Sequence, residues 1–205
     1  MKAFFEAIAR RYDREYALTG AISRERLARV LREISGRRRV LVLGLGTGRE
    51  LPALLDAGHE VTGLELSPEM IALCNKRSRT VPIVEADFYA PLPFADASFD
   101  AALALHGTLA HPPDATAHAR LAKELGRVLT SDGVFVAEVP AAEGLARLGA
   151  RVTGPSTFVH HDAKTGITIE GVALTSEGWC TALQPLHVRA EPLGDVEHLL
   201  VASGG

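Results

Sequence analysis

The pattern of apolar and polar positions is clearest at Val40–Leu43, where four apolar residues lead into a segment with glycine at every second position, Gly44–Gly48. A short unbroken apolar run of this kind is typical of a strand that is buried on both faces of a parallel sheet. The glycines allow a sharp turn and leave backbone amides uncovered. Leucines between residues 51 and 55 then recur at helical spacing. This stretch therefore predicts a strand, a tight turn and a helix.

The same alternation of apolar runs and amphipathic segments continues along the chain. Four more short runs predict strands, at Val61–Leu64, Pro82–Glu85, Ala101–Leu105 and Val134–Val139. The segments between them predict helices, including one over about residues 114–129, and Thr130–Gly133 is typical of a turn. Strands that alternate with helices in this way predict an α/β fold with a doubly wound, mostly parallel sheet.

Both ends of the chain differ from this central pattern. Residues 2–18 have apolar residues at helical spacing, and a second helix ends near Gly36. Phe158–Asp162 and Ile167–Leu174 are typical of a hairpin, and two later runs predict a final antiparallel pair, His187–Leu193 and Val196–Ala202. We expect a single domain over 1–205, with N-terminal helices or a lid (1–36), a core (37–139), and a hairpin with C-terminal strands (140–205).

Composition narrows the class of protein. A chain of 205 residues that is 47% hydrophobic can bury one sizeable core. A formal net charge of −3 argues against a general affinity for nucleic acid. The basic run Arg37–Arg39 favours a solvated connection, with a phosphate or RNA contact as the alternative. No run is long enough to span a bilayer, the N-terminus lacks a signal-peptide core, and two cysteines suggest neither disulfides nor a metal site. We expect a cytoplasmic protein without a metal.

The glycine turn also predicts a ligand. A helix N-terminus beside uncovered amides favours an anionic group, so a nucleotide-like cofactor should lie across the turn. The dinucleotide fingerprint needs glycine at its sixth position, which here is Arg49, and the triphosphate loop needs a Gly-Lys-Ser/Thr that is missing. A plain tight connection between strand and helix stays open as the alternative.

The next two predicted strands end in carboxylates. Ligands of open parallel sheets bind at the carboxyl ends of the strands. Glu65 could accept both hydroxyls of a ribose, and Leu66 and Met70 could form an apolar wall against an adenine. Asp87 could accept a hydrogen bond from the amino group of that base, while Phe88 packs on its ring.

An ordered set of motifs resembles those of class I S-adenosylmethionine (AdoMet) methyltransferases. The glycine turn resembles the first motif, and Val61–Met70 resembles the second. Glu85–Asp87 and Leu92–Asp100 are similar to the third and fourth, and Leu121–Glu138 resembles the helix and fifth strand. The match covers about residues 40 to 139 without interruption.

The resemblance implies a Rossmann-like, mostly parallel seven-stranded sheet with an antiparallel C-terminal strand. It also implies AdoMet as cofactor and S-adenosylhomocysteine as product. The cofactor contacts that it implies are Leu43, Gly44, Leu45, Gly46, Gly48, Glu65, Leu66, Met70, Asp87, Phe88 and Leu105. One departure is Val42, where the family usually has an acidic residue. The ammonium group of AdoMet would then need another acceptor, such as a backbone carbonyl or Asp13.

The remaining candidates concern the acceptor. His106 and His111 follow the fourth predicted strand in a segment that resembles the part of the family beside the transferable methyl, so we take them as candidate catalytic bases. Structural roles for both rings stay open. Glu138 is a further polar candidate, and His160-His161 could face solvent or the pocket. Tyr12 and Tyr16 belong to a segment that resembles an N-terminal lid, with a plain packing helix as the alternative.

Three hypotheses for function follow. The first is an AdoMet-dependent methyltransferase that acts on an O or N atom of a small-molecule acceptor, as a monomer or homodimer. The second is a cofactor-binding module with little or no catalysis, which Val42 encourages. The third is a nicotinamide-dependent oxidoreductase, which Arg49 disfavours.

Overall fold

A computed structural model describes residues 1–15, 21–78, 80–141, 145, 150–193 and 197–203, with the side chains of 21–23 excepted. Its helices are α1 (Lys2–Glu15), α2 (Ala21–Glu33), α3 (Leu51–Asp56), α4 (Pro68–Arg77), α5 (Ala117–Val128) and α6 (Ser176–Ala182), with a 3₁₀ turn at Thr108–Ala110. Its strands are β1 (Arg39–Leu43), β2 (Glu60–Glu65), β3 (Ile83–Glu85), β4 (Phe99–Ala104), β5 (Leu129–Pro140), β6 (Arg151–Gly154), β7 (Thr157–His161), β8 (Thr168–Val172), β9 (His187–Pro192) and β10 (Glu197–Ser203).

Seven strands form the main sheet in the order β3-β2-β1-β4-β5-β10-β9. The pairs from β3 to β5 are parallel, whereas β10 runs antiparallel to both of its neighbours. The strand order reverses at β1, which pairs with β2 on one side and β4 on the other. This confirms the predicted sheet and places its topological switch point at the ends of β1 and β4, where open sheets bind ligands.

The first strand explains why its sequence is an unbroken apolar run. Leu41 and Leu43 belong to the core on one side of the sheet, whereas Val40 and Val42 belong to the core on the other. All four side chains are buried, because helices cover both faces of the sheet.

A smaller sheet of three antiparallel strands, β6-β7-β8, lies outside the main one. The hairpin of β7 and β8 confirms the predicted pair, and its register joins Val159 to Glu170. The strand β6 was not predicted, because its residues are mostly exposed and show no alternation of apolar and polar positions. Ile169 on β8 packs against Phe4 and Ile8 of α1, so the small sheet and α1 share one apolar cluster.

The predicted turn at Thr130–Gly133 lies within β5 instead. The register jumps from the pair Phe99–Leu129 to the pair Ala101–Val134, so residues 130–133 bulge opposite Asp100 alone. A side chain at Gly133 would come within 2.9 Å of Thr130 O, so glycine is needed there. The turn-forming residues therefore produce a bulge within a continuous strand.

Candidate active site

A cavity of about 540 Å³ lies at the carboxyl ends of β1 to β4, between the glycine turn, α1 and the small sheet. Its volume is typical of small-molecule sites. Ten of the candidate residues line it: Tyr12, Gly44, Gly46, Glu65, Leu66, Met70, Asp87, Phe88, His106 and His111. A more open depression of about 650 Å³ beside β9 and α6 includes none of the candidates. The first cavity is therefore the candidate site.

The glycines of the turn have different roles. Gly44 has φ +61°, and a side chain there would lie 2.7 Å from Thr108 Cγ2. Gly46 has φ +58° and lines the cavity, and the nearest atom to a side chain there would be Gly44 O at 3.9 Å. Gly48 does not belong to the cavity wall, and a side chain there would meet Cys74 Sγ at 2.6 Å. The first two glycines thus shape the cavity, whereas the third allows α3 and α4 to pack closely.

Glu65 holds the end of β2 to the glycine turn. Its Oε2 accepts a hydrogen bond from the amide of Gly46 at 2.8 Å. Its Oε1 accepts from the amides of Leu66 and Ser67, both at 2.9 Å. Burial nevertheless raises the pKa of its carboxyl, against the effect of these three amides. The side chain is fixed in position, and a lone pair of Oε2 remains for a ligand.

The end of β3 supplies a second carboxylate. Asp87 Oδ1 accepts from the amide of Tyr89 at 2.9 Å, and within the described chain no hydrogen bond uses Oδ2. The ring of Phe88 lies beside that of Tyr89, with centroids 4.5 Å apart. The hydroxyl of Tyr89 donates to the carbonyl of Leu109 at 3.0 Å. A polar group and an aromatic face therefore lie together at this end of the cavity.

Four expected cofactor contacts do not belong to the cavity wall: Leu43, Leu45, Gly48 and Leu105. The three leucine side chains are buried in the cores on the two faces of the sheet. The carbonyl of Leu105 accepts from the amide of Thr108 at 3.2 Å and from its hydroxyl at 2.7 Å. Direct contact of these residues with a cofactor stays a prediction.

Val42 is buried, and the negative charge near the turn comes from other residues. Glu50, just before α3, lies with Oε1 2.5 Å from His106 Nε2. Burial opposes the ionisation of Glu50, yet the hydrogen bond from His106 and the charges of His106 and Arg49 hold the pKa of its carboxyl below the ordinary value. Asp13, the proposed alternative, already accepts from Thr47 Oγ1 and from Arg77, each at 2.6 Å.

Glu138 lies beneath the cavity instead of in its wall. Its Oε2 accepts from the amide of His106 at 2.9 Å and lies 3.1 Å from Arg26 Nη2. His106 has φ +55°, a conformation that is uncommon for a residue with a side chain. Glu50 and Glu138 thus hold His106 at its ring and its backbone, which suits a positioning role for this histidine.

The ring of His111 is oriented by the small sheet. Its Nδ1 lies 2.7 Å from the carbonyl of Glu170 on β8. Because a carbonyl only accepts, the neutral ring carries its proton on Nδ1 and presents the lone pair of Nε2. Burial lowers the pKa of His111, against the effect of that carbonyl, so the neutral form is favoured. This is the arrangement that a general base needs.

The helix α1 covers the cavity and is held there by apolar packing and by polar contacts on both of its sides. Phe4 and Ile8 pack against Met70 and Ile169. On one side Asp13 binds the turn and α4, and on the other Arg11 forms an ion pair with Asp162. Tyr12 lines the cavity, its ring lies 5.2 Å from the guanidinium of Arg49, and burial raises its pKa. Tyr16, the other lid candidate, lies outside the described residues.

Sequence reasoning missed Phe158, Tyr89 and Thr108 and left His160 open between solvent and the pocket. Phe158 and His160 line the cavity from β7, and Tyr89 and Thr108 line it from the loops after β3 and β4. Alternation along β7 could have placed Phe158 and His160 on one face, since residues two apart share a face. Nothing in the sequence indicates that this face turns towards the glycine turn.

Within the described chain no group of three His, Cys, Asp or Glu could hold a metal ion, and no helix has the length and hydrophobicity of a membrane span.

The comparisons agree with this geometry. Residues 41–137 match the family model described as a methyltransferase domain. Over these residues the chain is similar to that family. The match covers the glycine turn, both strand-end carboxylates and the candidate histidines, so every candidate cofactor contact lies within the matched residues. No curated protein sequence matches the chain.

Solved structures share the fold of the matched residues and of the segments that flank them. The PH0226 protein of Pyrococcus horikoshii OT3 is 21% identical, with a TM-score of 0.77 over 95% of this chain and 98% of its own. The CcbJ methyltransferase of Streptomyces caelestis is 18% identical, with 0.75 over 98% of each chain. The 1,6-didemethyltoxoflavin-N1-methyltransferase of Burkholderia thailandensis, with bound 1,6-didemethyltoxoflavin and S-adenosylhomocysteine, is 20% identical, with 0.69 over 99% and 86%. These likenesses show the fold.

Proposed function

We propose that this chain is an AdoMet-dependent methyltransferase that moves a methyl group to an O or N atom of a small-molecule acceptor by in-line displacement. The observation that carries the proposal is one continuous cavity. It extends from the strand-end carboxylates Glu65 and Asp87 to the oriented imidazole of His111. A cofactor at one end would thus face an acceptor at the other without leaving the cavity.

The residues of the first end fit AdoMet. Glu65 Oε2 keeps a lone pair for a ribose hydroxyl, while Oε1 is already used by two amides. We therefore expect one direct carboxylate bond in this conformation, where the sequence predicted two. Leu66, Met70 and Phe88 supply apolar wall for an adenine, and Asp87 Oδ2 supplies an acceptor for its amino group.

The positive end of AdoMet would meet negative charge despite Val42. Glu50 and Glu138 both lie against His106, which lines the cavity. An acidic pair behind one imidazole could thus supply the charge that an acid at position 42 provides in most of the family. Asp13 would then hold α1 in place and not bind the ammonium group, because its carboxylate already accepts hydrogen bonds from Thr47 and Arg77.

AdoMet supplies a methyl group that is already activated on a sulfonium. The protein therefore has to align a nucleophile, exclude water and receive a proton. The helix α1 covers the cavity and would exclude water. His111, with the lone pair of Nε2 available, would accept a proton from a nucleophile that binds protonated. His106 would orient the neighbouring loop.

The wider assignments follow from the same proposal. One solved structure of this fold carries 1,6-didemethyltoxoflavin and S-adenosylhomocysteine, which supports a small-molecule acceptor here. We propose that the segments 1–36, 37–139 and 140–205 act as one domain, since α1 and the small sheet complete the cavity of the core. We also propose that the protein is cytoplasmic and works as a monomer or homodimer.

Calorimetry with AdoMet, S-adenosylhomocysteine and NAD tests the proposal directly. Binding of the first two with no binding of NAD is the expected result. Binding of NAD alone would contradict the proposal and favour a nicotinamide-dependent oxidoreductase. Labelled AdoMet with an acceptor panel then separates an enzyme from a binding module, because a module binds the cofactor and transfers no label.

A further inference from the structure

The end of the cavity away from Glu65 and Asp87 is surrounded by rings. Five of them line it: Phe4, Phe5, His111, Phe158 and His160. Tyr12 lies nearer the glycine turn, beside Arg49. They meet mostly edge to face, with centroids 5.4 Å apart for Phe4–Phe5 and 5.8 Å for His111–Phe158. Phe4 and His160 meet in the same way at 6.2 Å. Such a wall is complementary to a flat aromatic ligand, because its faces and edges match those of another ring.

The position of Phe158 depends on a glycine across the hairpin. Phe158 pairs with Gly171 on β8, and a side chain at Gly171 would lie 2.4 Å from Phe158 Cζ. Because Gly171 has no side chain, the ring of Phe158 can lie over β8. From there the ring meets His111, so the hairpin fixes both an aromatic surface and the base beside it.

Charged groups are scarce at this end. No lysine or arginine is among the described residues that line the cavity, so a carboxylate or phosphate would find no cationic side chain there. The positive charge at this end is the terminal amino group of Met1, which also lowers the pKa of His111. The lining carboxylates Glu65 and Asp87 lie at the other end. Glu170 has an exposed side chain and contributes its carbonyl to His111. An ammonium ion would thus meet two imidazoles and no buried carboxylate at this end.

The hydrogen bond of His111 selects the nucleophile. Its ring lines the cavity and, with the proton on Nδ1, has its lone pair on Nε2, so a matching acceptor donates a proton at that point. Among neutral groups a phenol gives up its proton far more readily than an aliphatic alcohol, since phenols of the tyrosine type have a pKa of about 10. A flat, uncharged ring with a hydroxyl therefore matches the aromatic wall, needs no charged partner, and has a proton to donate to His111.

We infer that the acceptor is an uncharged aromatic hydroxyl compound and that the product is its methyl ether. This inference rests on the proposed function and adds the substrate class to it. The hydroxyl gives its proton to Nε2 of His111, and its oxygen electron pair forms the new O–C bond. The electrons of the broken C–S bond stay on sulfur, which leaves S-adenosylhomocysteine and a protonated His111.

Three probes with one ring system test the inference: 2-naphthol, 2-naphthoate and 2-naphthylmethylammonium. Calorimetry on the protein saturated with S-adenosylhomocysteine should show naphthol binding at least tenfold more tightly than either ion. Labelled AdoMet should give 2-methoxynaphthalene. Equal or tighter binding of either ion, or no binding of naphthol, would overturn the inference. Failure of the proposed function is distinct, because the protein would then not bind S-adenosylhomocysteine at all.

The variant Phe158→Leu tests the aromatic wall. It keeps an apolar side chain and removes the ring, so naphthol should bind at least fivefold more weakly while S-adenosylhomocysteine binds within twofold of the parent. Phe94→Leu is the matched control, since Phe94 packs on Phe99 outside the cavity. Unchanged naphthol affinity in Phe158→Leu, or an equal loss in the control, would remove Phe158 from the acceptor site.

Discussion

The two ends of the cavity are built in different ways. The cofactor end is formed by residues 44–89, which follow one another along the chain and lie where β1, β2 and β3 end. The acceptor end combines the first turns of α1, the loop after β4 and the hairpin of β7 and β8. Glu65 is held by amides within about twenty residues of it, whereas His111 is held by a carbonyl 59 residues away.

This difference separates recognition of the cofactor from recognition of the acceptor. A sheet fixes its strand ends whatever segments are added to the chain, so the cofactor end keeps its form when the rest changes. The acceptor end depends on how α1 and the small sheet pack, and other sequences could build it otherwise. We therefore expect changes at the first end to alter cofactor affinity, and changes at the second to alter turnover and acceptor affinity.

The largest expected effect is at the acceptor end. His111→Gln should lower turnover by about 10²–10⁴-fold, the usual contribution of a general base. Its affinity for AdoMet should stay close to that of the parent, since the ring lies beyond the cofactor end. Single-turnover kinetics with labelled AdoMet and calorimetry measure the two quantities. His161→Gln is the matched control, because His161 is exposed and binds only Thr168 Oγ1 among the described side chains.

The pH dependence of turnover checks the same residue. His111 acts as a base only when neutral, and burial lowers its pKa. Turnover should therefore fall with decreasing pH at a point below about 6.5, the ordinary value for histidine. This acid limb should disappear in His111→Gln. An unchanged limb in that variant would assign it to another group and leave His111 as a packing residue.

The next effect is at the cofactor end. Glu65→Gln replaces a charged acceptor of three amides with an amide whose own N–H groups would face Gly46 or Ser67. The loss of AdoMet affinity should be ~2–4 kcal/mol, or roughly 30- to 1000-fold, by calorimetry. Glu60→Gln, at the exposed opposite end of β2, should bind as the parent does. If a folded Glu65→Gln protein binds AdoMet normally, the cofactor does not lie at this strand end.

The smallest effect concerns the helix that joins the two ends. Asp13→Asn should remove the charge pairing with Arg77 and loosen α1 by ~1 kcal/mol, since this pair is partly exposed. We expect faster hydrogen exchange in α1 and a loss of AdoMet affinity of no more than about fivefold. Asp56→Asn, on the exposed end of α3, is the control. A loss as large as that of Glu65→Gln would mean that Asp13 receives the ammonium group itself.

The same comparison explains what the sequence could predict. Glu65 and Asp87 were found because they follow apolar runs, and the edge on which parallel strands end is known before the structure. Phe158, Gly171 and the Nδ1 hydrogen bond of His111 were not found, because they depend on the approach of β7 and β8 to the loop after β4. Glu50 was not found either, because its contact with His106 joins residues 56 positions apart, and His106 has a positive φ that the sequence does not indicate.

Hydrogen exchange with and without S-adenosylhomocysteine is the most direct test of the central claim, that the cofactor binds at the ends of β1, β2 and β3 beneath α1. We expect slower exchange at residues 44–48, 65–67 and 87–89 and throughout α1, because the ligand would order both the strand ends and the helix above them. If exchange slows at the strand ends and is unchanged in α1, the cofactor assignment stands and α1 is a packing helix. Binding of S-adenosylhomocysteine with no protection at residues 44–48 would contradict the account.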